Sequence, residues 1–244
     1  MNPEEAAGYQ ILAFPVLGRD AMAPEQTELL MDRFRILRLT ALQNAPNAYA
    51  SSYDIDKEKP RDFWVQRLSN PLARHFIAVP ILGQQVLGIS DTLDAEWCGL
   101  IAMIGPSFDD TKGAVAANQS PFASKSTASQ PITLNEGKAD ELAASQTARY
   151  HLASMFTSPN HRRRGIGKAL LNCALSVAEE DCRKQGTTLC VDIHADTDNP
   201  AAINLYEAAG FSKIAVEIYQ PAPVAAGPRP EKKAHLMELT RSFR

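Results

Sequence analysis

With 244 residues, 45% of them hydrophobic and 22% charged, the chain has the composition of a soluble globular protein and enough length for one sizeable core. Its formal net charge of −3 supplies no long-range attraction for nucleic acid, so no nucleic-acid partner is expected. No apolar run approaches bilayer length, and Met1-Asn2-Pro3-Glu4-Glu5 lacks the basic-then-apolar order of a secretory signal, so no membrane partner and a cytoplasmic or nucleocytoplasmic location are expected.

Residues 9–17 read as a first strand, with Pro15 placing it at an edge or near its end. Pro24 opens a helix in which Leu29, Leu30, Phe34, Leu37 and Leu42 keep a near-helical period, and Pro46 requires it to stop. A short helix follows Pro60 through residue 68, with Phe63, Trp64 and Leu68 as buried candidates. Apolar runs at 75–82 and 97–104, bounded by Gly and Pro, are strands, and 86–89 belongs to a meander or to the turn between them. From about 106 to 147 the chain turns to Ser, Ala, Thr, Gln, Asn and Lys without apolar period; no core can be built from it. It reads as an insertion between two strands, either a lid or disordered, with 131–134 as its candidate docked piece.

Strand character returns at 149–157 and ends at Pro159. A basic turn follows, Asn160-His161-Arg162-Arg163-Arg164-Gly165-Ile166-Gly167-Lys168, and a helix to about 184 begins at once, with Ile166, Ala169, Leu170, Cys173 and Val177 on one face. Gly186 ends that helix, and residues 187–194 alternate as a strand with Leu189, Val191 and Ile193 pointing one way. Asn199 caps a further helix with Pro200 at its first position, Ala202, Leu205, Tyr206 and Ala209 share its face, and Gly210 ends it. Strands near 212–219 and 234–240 close the domain around a Pro/Ala/Gly loop at 221–230. Cys98, Cys173, Cys182 and Cys190 sit in apolar contexts without metal spacing, so free buried thiols and no metal are expected. The whole reads as a single domain, 1–244, monomeric or homodimeric.

A strand, a glycine-containing basic turn and a helix in that order suit an anion: glycines let the backbone approach, the helix start offers free N–H groups, and Arg and Lys add charge-assisted bonds. Two better-known phosphate loops fail on spacing. A P-loop needs Gly where Arg162 stands and Ser or Thr where Ala169 stands; a dinucleotide fingerprint needs a third Gly where Leu170 stands. The adjoining glycines also decide against reading the Arg run as a nuclear-targeting or nucleic-acid patch.

What remains, Arg162-x-x-Gly165-x-Gly167, resembles the acyl-CoA pyrophosphate loop of the GNAT superfamily of N-acetyltransferases. The block Asn199 to Phe211 is similar to that family's next signature, Asn-x-x-Ala-x-x-Leu-Tyr-x-x-x-Gly-Phe. The resemblance implies an α/β (α+β) fold: a mixed, mostly antiparallel sheet of about seven strands with helices on both faces and a V-shaped splay between two parallel strands, here those ending near Thr157 and His194. It implies acetyl-CoA as cofactor and transfer of the acetyl group to a primary amine, with a small-molecule amine as the expected acceptor. A protein N-terminal or lysine amine is the alternative, and a non-catalytic acyl-CoA-binding module is the alternative of another class. The segment 39–53 resembles the helix and loop that lie over the family's acceptor site.

By the same resemblance, the cofactor contacts fall on Met155, Phe156, Thr157, Arg162, Arg163, Arg164, Gly165, Ile166, Gly167, Lys168, Asn199, Ala202 and Tyr206. Arg163 and Arg164 reach the ribose phosphate or simply solvate the turn. A backbone N–H near Met155 or Phe156 faces the thioester oxygen. Tyr206 either donates a proton to the CoA sulfur or only packs its ring. His151 stands where many relatives carry Glu and is the candidate base, with His194 as rival. Asp192, Asp196 and Asp198 are available to attract a cationic amine.

Overall fold

The computed structural model describes residues 8–20, 22–81, 87–108 and 146–243. Seven strands, β1 (Gly8–Ala13), β2 (Ala73–Ile81), β3 (Gly99–Ser107), β4 (Thr147–Thr157), β5 (Thr188–Asp196), β6 (Ser212–Tyr219) and β7 (Lys232–Arg241), form one sheet in the order β1-β2-β3-β4-β5-β7-β6. Neighbouring strands run antiparallel except β4 and β5, which are parallel. Five helices accompany it: α1 (Pro24–Asn44), α2 (Tyr53–Asp56), α3 (Arg61–Ser69), α4 (Ile166–Gln185) and α5 (Pro200–Ala208). Most of the expected insertion, 109–145 with its 131–134 segment, lies outside the described residues.

The helices divide between the two faces, and each face has its own core. On one side α4 and α5 bring Leu170, Leu171, Ala174, Ile203 and Tyr206 onto Tyr150, Leu152, Val191 and Ile193. On the other, α1 and α3 bring Leu30, Phe34, Leu37, Trp64 and Leu68 onto Ile77, Val79, Leu100 and Phe156. Strand residues of one parity serve one face and their neighbours the other.

Several expectations shift by a residue or a turn, each for a local reason. β1 stops at Ala13 because the chain leaves the ladder before Pro15, which has no N–H to offer; Leu17 is instead buried beyond it, its N–H on the Leu68 carbonyl at 3.0 Å. Leu29, expected inside, is 55% exposed, because the buried stripe of α1 runs through Leu30, Phe34, Leu37 and Ala41. On α4 the line is likewise rotated: Leu170, Leu171, Ala174 and Ala178 are buried, while Ala169, Cys173 and Val177 flank them. Residues 89–92 form a 3-10 turn, and 82–86 lie outside the described residues. Trp64 is core at 1% exposure. The cysteines are free, with Cys98, Cys182 and Cys190 buried and Cys173 partly so.

Two irregularities position the cleft. Between Leu100 and Ala102, β3 advances two residues while β4 advances three, from Phe156 to Ala153. The extra residue is a β-bulge at Ser154, whose φ is +58°. The bulge reverses the parity of β4: Tyr150 and Leu152 face α4 before it, and Met155 does so after it, while Phe156 faces α1. On the opposite edge, β4 pairs with β5 only from Thr147↔Thr188 to Leu152↔Ile193. Beyond that rung the parallel strands part.

Candidate active site

Where β4 and β5 part, a cleft of about 1250 Å³ crosses the sheet and is lined from both faces, by Tyr206, Asn199 and Ala202 on the α5 side and by Arg38, Tyr49 and Arg67 on the α1–α3 side. Residues 153–157 have left the β5 ladder, so backbone groups of β4 on that edge are offered to the cleft. The Tyr49 hydroxyl donates to the Met155 carbonyl at 2.8 Å and closes one wall, its ring capped by the Arg38 guanidinium at 4.8 Å. Burial pushes the Tyr49 phenol up to about 12.

At the end of β4, Pro159–His161 makes a 3-10 turn, Arg162, Arg163 and Arg164 are exposed, and α4 begins at Ile166. Gly165 precedes the helix at φ +80°, where a Cβ would also sit 3.2 Å from the Tyr9 hydroxyl. Among the described residues no side chain caps the helix, which leaves the N–H groups of its first turn for an external acceptor. Gly167 packs its turn beside Leu205 and Thr157, 3.4 and 3.6 Å from where a Cβ would sit. The Arg162 Nε–H donates to the Thr157 carbonyl at 3.3 Å, which folds the basic turn back over the strand end. Uncapped donors, exposed cations and close backbone approach fit a pyrophosphate.

Asn199 caps α5, its side-chain oxygen accepting the Ala202 N–H at 3.2 Å, and Gly210 leaves the helix at φ +99°. That cap sets the helix so that Tyr206 points into the sheet, 3% exposed, with its ring 6.1 Å from Phe211. Burial, aided by the neighbouring Tyr49, holds the Tyr206 phenol well above the usual range, so it is protonated at neutral pH.

His151, Asp192 and His194 come from the opposite parity and open on the α1–α3 side. The His151 Nδ1 and Asp192 Oδ1 are hydrogen-bonded across the last rungs of the parallel pair. The His194 ring lies 5.8 Å from that of His151 and its Nε2 is 3.0 Å from Glu217 Oε2. Burial first, then the nearby His151, lowers the His194 pKa. The ligand atoms of His151, Asp192 and His194 lie within 4.8 Å of one another, a spacing a metal ion could bridge, although each ring already has a carboxylate partner. Sequence reading missed Asp192 as the partner of His151, because the pairing is made by register between strands 41 positions apart.

Of the carboxylates expected to draw in a cationic amine, Asp196 is already engaged within the fold. Asp196 is 8% exposed, accepts from the Tyr219 hydroxyl at 2.7 Å and is paired with Lys232, whose ammonium also lies 3.5 Å from Asp198. Asp196 thereby holds β6 and β7 at this end, while the Asp198 carboxylate stays largely exposed at the cleft. The segments at 46–52 and 221–230, far apart in sequence, form one wall: Arg229 donates to the carbonyls of Pro46 and Ala50 at 2.8 Å, and Ser52 Oγ donates to the Pro223 carbonyl at 2.6 Å.

Residues 132–211 match the model described as the acetyltransferase (GNAT) family. No curated protein matches the sequence. Among solved structures, NAA60 of Arabidopsis thaliana in complex with a bisubstrate analogue is similar at 14% identity and a TM-score of 0.52, over 96% of this chain and 100% of that one. The same protein in complex with acetyl-CoA gives 14% identity and 0.50, over 95% and 98%. At that identity the likeness is one of fold. Over the stretch that runs through the basic turn to Phe211 the chain is similar to the acetyltransferase (GNAT) family, and the fold of the described residues is shared with acetyltransferase structures.

Proposed function

We propose that the protein transfers the acetyl group of acetyl-CoA directly to a primary amine of a small molecule. One observation carries this reading: the cleft crosses the sheet where β4 and β5 part, with a protonated Tyr206 on one face and the His151–Asp192 pair on the other. Direct transfer needs an acid on the cofactor side and a base on the acceptor side.

Acetyl-CoA, when bound, supplies a thioester carbonyl that the amine attacks. Arg162, Arg163, Arg164 and Lys168, with the N–H groups from Gly165 to Lys168, hold its pyrophosphate. Thr157, Asn199 and Ala202 line the route between that turn and the splay. The released edge of β4 pairs with the amides of the cofactor's arm, and an N–H at Met155 or Phe156 stabilises charge on the carbonyl oxygen. Asp192 fixes the His151 tautomer with the proton on Nδ1, which leaves Nε2 free to take a proton from the amine, directly or through water. Tyr206 holds its proton more tightly than a thiol, whose pKa is about 8.5, so it steadies the departing sulfur by donating a hydrogen bond. The wall joined by Arg229 restricts the acceptor side and favours a small molecule over a protein chain.

Thermal-shift measurements with acetyl-CoA, CoA and ATP test the cofactor, and a thiol-release screen of small amines against peptides tests the acceptor. Stabilisation by both CoA species and turnover of a small amine are expected. No stabilisation by either CoA species overturns the reading, and turnover confined to peptides overturns its acceptor.

A further inference from the structure

On the sheet face that carries His151, the Arg38–Arg67 couple holds more positive charge than the single carboxylate beside it balances. Arg38 of α1 is 6% exposed, and Arg67 of α3 is near enough that the charge of Arg38 acts on it. Asp56 is the carboxylate paired with this couple among the described residues, 3.5 Å from Arg38 Nε, and it also accepts from Ser51 Oγ at 2.7 Å. Arg67 sends Nη2 to Ser154 Oγ at 3.1 Å, at the bulge where β4 leaves β5. The Nε of Arg67 and the Nε and Nη1 of Arg38 are buried with no hydrogen-bond acceptor among the described residues. Both side chains line the cleft.

A guanidinium cannot shed its proton to relieve such a position, and a buried charge without a counter-charge is strongly disfavoured. Even the fall of the Arg67 pKa to about 10, caused by burial and then by Arg38, leaves it charged at neutral pH. The basic turn before α4 adds only further positive charge to the cleft, through Arg162, and Asp196 is committed to Lys232. The missing partner is then an anion that enters with the acceptor.

We propose that the amine acceptor carries a carboxylate that docks on Arg38 and Arg67 while its amine reaches His151. This rests on the acetyl-transfer reading above and names its substrate class: a short amino carboxylate. The planar fork of Arg matches a carboxylate with two parallel bonds. Ser154, which accepts from Arg67, and His151 are three residues apart on β4, at most roughly 10 Å at the rise of a strand.

The test is thiol release at saturating acetyl-CoA with matched acceptors: β-alanine, γ-aminobutyrate, ε-aminocaproate and L-glutamate, each against its carboxamide and the n-alkylamine of equal length, with O-phosphoethanolamine and acidic peptides alongside. The best carboxylate is expected to exceed its amide in kcat/KM by roughly 10- to 100-fold, the worth of a charge-assisted hydrogen bond. Arg67→Gln should bring that ratio toward one through KM, and Arg67→Lys should restore part of it. Equal or better use of the amide, the alkylamine, the phosphate ester or the peptides overturns the proposal, as does an unchanged ratio in Arg67→Gln. If no acceptor turns over, thermal shift of the CoA-loaded protein by the same carboxylates decides, and no shift overturns it. Stabilisation by acetyl-CoA is scored separately: its absence sinks the transfer reading, whereas its presence without carboxylate preference sinks the present inference alone.

Discussion

At the residue scale, the site depends on titratable groups whose surroundings hold them in one protonation state. His75 is 4% exposed against Phe34, and burial, then Arg67, pulls its pKa down to about 3. In the unfolded chain it protonates near 6.5, so below that pH the unfolded state binds a proton the folded state refuses. Stability contributed by neutral His75 is complete above pH 6.5 and is lost as pH falls toward 3, with a slope approaching about 1.4 kcal/mol per pH unit. The lowered pKa of His194 adds in the same direction. Denaturant titrations at pH 7 and pH 5 should show this loss, and His75→Gln should flatten it; an equal slope in the variant removes His75 as the cause. For catalysis, Tyr206→Phe should lower turnover roughly 10- to 100-fold with acetyl-CoA binding retained, as expected for one hydrogen bond to a charged atom. His151→Gln should lower turnover roughly 10²- to 10⁴-fold with acetyl-CoA binding retained, and an unchanged turnover would transfer the base to another group. Tyr206 and His151 could be singled out in the sequence from their spacing to the two motifs, and both line the cleft. The pairing of Asp192 was not legible, because its partner lies on a neighbouring strand.

At the scale of the element, α4 and α5 are placed by their ends. Pro24, Pro200 and the glycines at 165, 186 and 210 marked the helix limits in sequence because fixed or left-handed backbone angles act locally. Gly165→Ala should strain the left-handed φ by about 1–2 kcal/mol and weaken acetyl-CoA binding, since the first-turn N–H groups lose their aim. Calorimetric titration with CoA reads this directly. Asn199→Ala removes the cap bond to Ala202 and should cost about 1 kcal/mol in unfolding free energy, with Asn199→Ser recovering most of it. The bulge at Ser154 left no trace in the sequence. Its positive φ belongs to an ordinary serine, and the signal exists only in the register between β3 and β4.

At the scale of the molecule, the acceptor side is assembled from distant segments. Arg229 ties the β6–β7 connection to the carbonyls of Pro46, Ala50 and Ser51, and burial lowers its pKa without removing its charge at neutral pH. Arg229→Ala should loosen that wall, raise KM for the amine several-fold and leave acetyl-CoA affinity in place; limited proteolysis within 221–230 should quicken. Equal KM values for both proteins would show that the wall does not touch the acceptor.

The sequence by itself determined the helix limits, most strands, the basic turn before α4 and the cofactor class, because these depend on local backbone preferences and on spacings within one stretch of chain. Tertiary structure alone decided the rest: that Asp192 pairs with His151, that Lys232 engages Asp196, and that Arg38 and Arg67 meet beside the bulge with one carboxylate between them. Those outcomes come from strand register and from which helices share a face. Both arise when distant segments are buried together, which no local pattern encodes.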